Sequence, residues 1–320
     1  MMKDYLQTLW WESTIPPLWL RILARLFSWV VFVRRKIYQR FTHLVWHAPV
    51  PVWVVGNLSV GGNGKTPSVI ALCELLKQQG LRPGIVSGGY AGTHNKQVQP
   101  VTASSDPLEV GDEAVLLALK TNCPMVIGRD RVAATKYLLS HYSCDLVISD
   151  DGLQHYRLGR NKEIILIGSR GFGNEHLLPA GPLRESLHRL QTVDAVWKQG
   201  EQFTLQFQPL QLWGASQKHA PTPNTLAISQ PIHAMAGIAA PERFFEALMD
   251  MGYATIKHPF TDHHRFTNQD FPFNDDLPLV MTEKDAVKCQ YLLLDLPIWV
   301  LPMNLVLSDE VKKQVLEWIV

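Results

Sequence analysis

Between residues 52 and 79 the chain reads as a short buried strand, a glycine-dense loop and a helix, and no other stretch limits the fold so tightly. ValTrpValValGly (52–56) is an apolar run of strand length. GlyAsnLeuSerValGlyGlyAsnGlyLysThr follows over 56–66, and Ile70, Leu72, Leu75 and Leu76 then recur at helical spacing until Gly80. A loop of this kind aims several main-chain N–H groups at one point. Its glycines allow close approach, and the positive end of the helix favours an anion. The pattern approximates G-x-x-x-x-G-K-[ST], in which the lysine reaches β- and γ-phosphates and the hydroxyl binds Mg²⁺. Its first position is Ser59 rather than glycine, while the strand before it and the Gly64–Lys65–Thr66 end conform. The candidate cradle is Ser59, Val60, Gly61, Gly62, Asn63, Gly64, Lys65 and Thr66.

The next segments alternate in the same manner. Strands are expected at 84–87, 125–128, 146–149 and 164–168, and helices at 112–119 and 131–141. Strands separated by helical patterns predict a largely parallel sheet covered on both faces. Near Phe203 the texture changes, since PheThrLeuGlnPheGln (203–208) and LeuGlnLeuTrp (210–213) alternate apolar with polar, as antiparallel strands with one wet face do. A polar, proline-bearing stretch over 214–223 reads as a linker, after which α/β texture resumes to a final helix at 309–319. The expected fold is α/β: a phosphate-loop α/β/α domain over 47–202, a two-stranded linker region over 203–224, and a smaller second α/β domain over 225–320, whose last helix is able to pack back on the first.

LeuValIleSerAspAsp (146–151) places Asp150 and Asp151 directly after a buried apolar run. A carboxylate at the end of a strand beside a phosphate loop helps to hold the metal of a bound nucleotide. A plain strand-ending turn would look similar, but the loop upstream favours the metal. Together the two motifs call for a nucleoside triphosphate and Mg²⁺, without naming the acceptor.

Charge excludes one class of partner and suggests another. Lys and Arg number 30 against 29 Asp and Glu, which removes the basic excess that nucleic-acid binding needs. The first 50 residues, however, carry seven basic side chains against Asp4 and Glu12, together with five of the ten tryptophans. The run from Trp19 is too often interrupted by Arg to cross a bilayer, and ValArgArgLys follows it where a signal peptide would offer small residues. An amphipathic helix lying in a membrane interface fits residues 1–46 best, and an ordinary helix packed on the body is the alternative. Cys73, Cys123, Cys144 and Cys289 form no CxxC pair, so buried reduced thiols are expected rather than a zinc cluster or disulfides.

Seven segments, in order, resemble one family: GlyAsnLeuSerValGlyGlyAsnGlyLysThrPro (56–67), SerGlyGlyTyrAlaGly (87–92), ValGlyAspGlu (110–113), AspAspGlyLeuGlnHis (150–155), LeuProAlaGlyProLeuArgGlu (178–185), AspHisHisArgPhe (262–266) and ThrGluLysAspAlaValLys (282–288). The chain is similar, over about residues 17–288, to the tetraacyldisaccharide 4′-kinases of lipid A synthesis. The resemblance implies transfer of the ATP γ-phosphate to the 4′-hydroxyl of tetraacyldisaccharide 1-phosphate. It also implies two α/β/α domains joined by a two-stranded linker, and an N-terminal helix that meets the cytoplasmic face of the bacterial inner membrane, peripherally or monotopically; a monomer is expected.

Carried over by motif, Asp112 is the base or its key element and Lys65 serves the phosphates. His263 is favoured over His264 as the partner of Asp112. Thr66, Asp150, Asp151 and Glu185 surround Mg²⁺, Arg184 neutralises phosphate charge, and Gln154 and His155 are candidates for substrate contact. From residues alone Asp112 also reads as a helix N-cap, and ThrGluLysAsp (282–285) as a capped helix start. One position departs from the family pattern. Gly88 stands where SerArgGlyTyr would put an arginine, and any phosphate contact of that arginine passes to a neighbour such as Arg129 or Arg131, between which the sequence does not choose. The rival function is a membrane-associated ATPase that switches partners. Such switches carry lysine before the paired glycines of the loop, where this chain has Val60.

Overall fold

The computed structural model describes residues 2–12, 15–61, 64–90, 92–93, 97–213, 226, 231–292 and 296–319, with side chains from residue 5 onward. Gly62 and Asn63 of the expected cradle, and the stretch 214–223 expected as a linker, lie outside the described residues.

Two N-terminal helices, α1 (Met2–Trp11) and α2 (Leu18–Arg40), precede the first sheet. Its elements are β1 (Val52–Gly56), α3 (Lys65–Gln78), β2 (Pro83–Ser87), β3 (Gln99–Val101), α4 (Pro107–Val110), α5 (Asp112–Thr121), β4 (Met125–Ile127), α6 (Arg131–His141), β5 (Leu146–Asp150), β6 (Lys162–Ile167) and β7 (Ala195–Lys198). The strand order is β3-β4-β2-β5-β1-β6-β7, parallel except for β3. The continuous apolar runs follow from burial on both faces. Trp53 and Val55 of β1 meet Val69, Leu72 and Leu76 of α3 on one side, while Val52 and Val54 face the layer holding Val132 and Leu138 of α6. Because β1 and β5 are direct neighbours with Val55 opposite Asp150, the loops leaving their carboxyl ends open side by side.

The second half comprises β8 (Phe203–Phe207), β9 (Gln211–Leu212), β10 (Ile232–Ala236), α7 (Pro241–Asp250), β11 (Thr255–Pro259), β12 (Leu279–Thr282), α8 (Glu283–Lys288), β13 (Ile298–Leu301), β14 (Met303–Leu307) and α9 (Asp309–Glu317). A second sheet runs β11-β10-β12-β13-β9, parallel except for β9. The two strands expected within 203–224 are present as β8 and β9, but they do not pair with each other. β8 pairs antiparallel with β14, five residues on each side, and β9 joins the second sheet instead. The cause is topological: the chain crosses to the second lobe through β8 and returns through β14, so the two crossings meet. Val311 and Val315 of α9 then pack into the core of the first sheet.

Helix α2 holds to the body by a narrow stripe. Leu20 and Ala24 are buried against Leu9 of α1 and Ala180, whereas Trp19, Trp29 and Phe32 are each more than half exposed. Among the described residues no helix is long and apolar enough to cross a membrane. All four cysteines are buried and free.

Candidate active site

The glycine-rich loop between β1 and α3 is stitched to a distant segment. Ser59 bridges Leu183, Val60 N–H donates to Pro182 O at 2.9 Å, and Arg184 N–H donates to Leu58 O at 2.7 Å. These bonds make Ser59 and Val60 anchors of the loop, and the Val60 amide is engaged away from any bound anion. Gly61 and Gly64 take φ of +109° and +79°, values glycine reaches without strain. Gly64 is the N-cap of α3 and has no side chain to cap it, so the positive end of α3 is left without a capping side chain from that residue.

Asp150 and Asp151, one residue apart, are treated in opposite ways. Asp150 ends β5, is buried, and accepts from Ser87 Oγ at 2.9 Å through Oδ2, while its Oδ1 is buried with no protein partner. Burial, and then the charge of Asp151, push its pKa up to about 6. Asp151 adopts a left-handed φ of +48°, which turns it toward two cations. Arg184 grips it with both nitrogens at 3.0 and 2.9 Å, and Lys65 Nζ lies 3.5 Å away. Burial opposes its charge, yet Lys65 and Arg184 hold the carboxyl well below the usual range. A bare buried oxygen at a strand end suits a hard cation. The oxygens of Asp151 and Glu185 are differently placed. Glu185 is buried with Oε1 receiving Gln154 Nε2 at 2.9 Å and Oε2 facing Arg189 Nε at 3.4 Å. Burial lowers the His155 pKa to about 4, which keeps that ring neutral near pH 7.

Asp112 opens α5 at the first helical residue, not as its cap. Gly111, with φ +95°, takes the cap position against the Tyr90 carbonyl, where a side chain would clash. Asp112 Oδ1 accepts Glu113 N–H at 2.8 Å, and Oδ2 lies 3.1 Å from His263 Nδ1. His263 comes from the loop after β11, at φ +58°, with its N–H donating to Gly237 O. His264 turns away to Asp270, 3.3 Å distant, among Phe260 and Phe266. Burial works to raise the Asp112 pKa, but His263 and Lys284 hold it below its ordinary value; the hydrogen bond to Asp112 raises that of His263. The pair can therefore orient a hydroxyl and share its proton.

Thr282 caps α8 and Asp285 reaches back to its hydroxyl at 2.7 Å, as the local pattern predicts. The same motif also carries Lys284, whose ammonium lies 2.9 Å from Glu113 and 3.9 Å from Asp112. Sequence reasoning missed it, because its partners are some 170 positions upstream. Of the two arginines weighed for the space at Gly88, Arg131 is the one beside it. A Cβ at 88 would lie 2.9 Å from Arg131 Nη2, so the Arg131 guanidinium fills the space over Gly88, whereas Arg129 is exposed. Arg131 is buried, donates to Gly128 O at 2.6 Å and leaves its Nε without a protein partner.

A family model described as LpxK, tetraacyldisaccharide-1-P 4′-kinase, matches residues 17–320. The tetraacyldisaccharide 4′-kinase of Nitrosococcus oceani is 45% identical over 98% of this chain and 95% of its own length. That of Alkalilimnicola ehrlichii is 48% identical over 86% and 85%. Among solved structures, LpxK of Aquifex aeolicus, crystallised in complex with ATP, is 26% identical with a TM-score of 0.78 over 99% of each chain.

Proposed function

The chain belongs to the tetraacyldisaccharide-1-P 4′-kinase family, and from that premise we propose how its residues carry the reaction. It phosphorylates the 4′-hydroxyl of tetraacyldisaccharide 1-phosphate with ATP, giving lipid IVA in lipid A biosynthesis.

In this reading the amides of Gly64, Lys65 and Thr66 receive the triphosphate, with Gly61, Gly62 and Asn63 completing the cradle. Lys65 moves from Asp151 to the β- and γ-phosphates, and Arg184 neutralises phosphate charge from beside it. Phosphoryl transfer is mostly positioning and charge stabilisation, so these cations carry much of the work. Mg²⁺ takes one or two carboxylates beside phosphate and water oxygens, and the unpartnered Asp150 Oδ1 together with the Thr66 hydroxyl fits that need. Asp151 and Glu185 would complete its surroundings. When bound, the ion would offset the charge that develops on the phosphate.

Asp112 and His263 act as the base. As the 4′-oxygen bonds to the γ-phosphorus and the bond to ADP breaks, the hydroxyl proton passes to the pair. The 3.1 Å contact between Asp112 and His263, delivered by different sheets, is the observation that carries this assignment. Gln154 and neutral His155 border the acceptor side. The exposed apolar face of α2, with Arg21, Arg25 and Arg34 beside Trp19, Trp29 and Phe32, suits the interface of the cytoplasmic leaflet, where a monomer would meet its lipid.

The test is incubation with γ-labelled ATP, Mg²⁺ and tetraacyldisaccharide 1-phosphate in detergent. Label is expected in the lipid. Label found only as free phosphate would favour the partner-switching ATPase instead.

A further inference from the structure

The ThrGluLysAsp motif has a capping role that accounts for Thr282 and Asp285 but leaves Lys284 unexplained. Lys284 occupies the second residue of α8, a place where the positive end of a helix disfavours a cation and favours its neighbours Glu283 and Asp285. Local helix chemistry therefore does not account for it, and its contacts lie elsewhere. Its ammonium crosses to the other lobe, 2.9 Å from Glu113 Oε1 and 3.9 Å from Asp112 Oδ2, on a side chain that is one-fifth exposed.

We infer that Lys284 is a positioning residue for the Asp112–His263 pair: anchored on Glu113, its ammonium fixes the Asp112 carboxylate so that Oδ2 stays turned to His263 Nδ1. The inference rests on the assignment of that pair to the reaction. The charged groups around Asp112 make the role specific. His263 and Asp262 face it from the loop after β11, Lys284 and Lys288 from α8, and Glu113 from its own helix, while the Tyr90 ring lies 5.6 Å from His263. Lys288 is already held by Asp285 at 2.6 Å and by the Gly237 carbonyl, so Lys284 is the cation that answers Asp112 whenever His263 is neutral. A second ion pair joins the same two helices, Lys120 to Glu283, and it does not touch Asp112. Docking of the lobes and tuning of the pair can thus be separated.

The charge of Lys284 lowers the pKa of both Asp112 and His263, so removing it leaves the pair protonated to higher pH. For Lys284→Met, turnover of lipid at pH 7 should fall about tenfold, and the acid limb of kcat/KM should move up by about one pH unit, with KM for ATP within about twofold. Lys284→Arg should restore the limb. Lys120→Met should leave it in place. A Lys284→Met enzyme whose limb coincides with that of the wild type, or whose loss is matched by Lys120→Met, overturns the proposal. Should Lys284→Met fail to fold, folded Lys284→Arg carries the test, and a displaced limb there overturns it equally. Full turnover in Asp112→Ala would instead remove the pair itself from the reaction, whatever Lys284 does.

Discussion

The carboxyl edge of the first sheet is fixed by main-chain bonds and buried charge pairs, whereas the second sheet reaches the same place through side chains at the tips of a loop and a short helix. On the first side, the β1 loop is laddered to Pro182–Arg184 and Asp150 is locked under Ser87. On the second, His263 and Lys284 arrive through contacts of 3.1 and 2.9 Å to residues at the start of α5. The first side is preorganised, and the contact with the second depends on charge across an interface. Its contact also carries an internal opposition. The raised His263 pKa makes its share of the docking present below about 6.5 and lost as pH rises through the folded value; the lowered Asp112 pKa makes its share present above about 3.8 and lost as pH falls through the folded value. Docking is thus strongest in mild acid, where Asp112 is ionised and His263 carries its proton.

The contrast can be broken most severely on the rigid side. Lys65→Ala and Asp150→Asn should each lower kcat by about 10²–10³-fold, the usual cost of one preorganised electrostatic group. Retained turnover in either variant, measured at saturating ATP, would detach that residue from the phosphates or the ion. On the interface side, Asp112→Ala and His263→Ala should cost about 10²-fold while ATP affinity, read by calorimetry, changes by less than about threefold. A comparable loss of ATP binding would show that the two edges are not separable. A milder probe is the pH profile of the wild type, where kcat/KM should rise with pH through a limb above the ordinary histidine value of 6.5; a limb below that value would take His263 out of the reacting pair. Smallest is the effect of Trp29→Glu with Phe32→Glu on α2, expected to weaken sedimentation with anionic vesicles about tenfold and leave turnover of detergent-dispersed lipid unchanged.

Much of the rigid side was legible in the residues. The apolar runs at 52–56 and 146–149 could only be buried parallel strands, and the motifs at their ends name the ligand. Short elements whose formation depends on a neighbour were not. β3, β7, β11 and β14 carry polar or proline residues and become strands through pairing with β4, β6, β10 and β8. The interface side was half legible. The AspHisHis segment marks a histidine for Asp112, but adjacent histidines differ only in backbone direction, and the left-handed φ at 263 decides which one crosses. Lys284 had no signal beyond an acidic neighbourhood that forms only when the lobes dock.

The paired strands between the lobes have one further consequence. Phe203 and Leu307 are directly opposite one another, both are buried in the first core, and α9 resumes that core immediately afterwards. The whole of 204–306 is in effect a cassette whose ends lie a single strand spacing apart. Excising it and closing the gap with a tight turn would keep every strand of the first sheet in the chain, yet it would strip Val287 and Leu305 from the first core, so the borrowed lobe also completes the interior of its host.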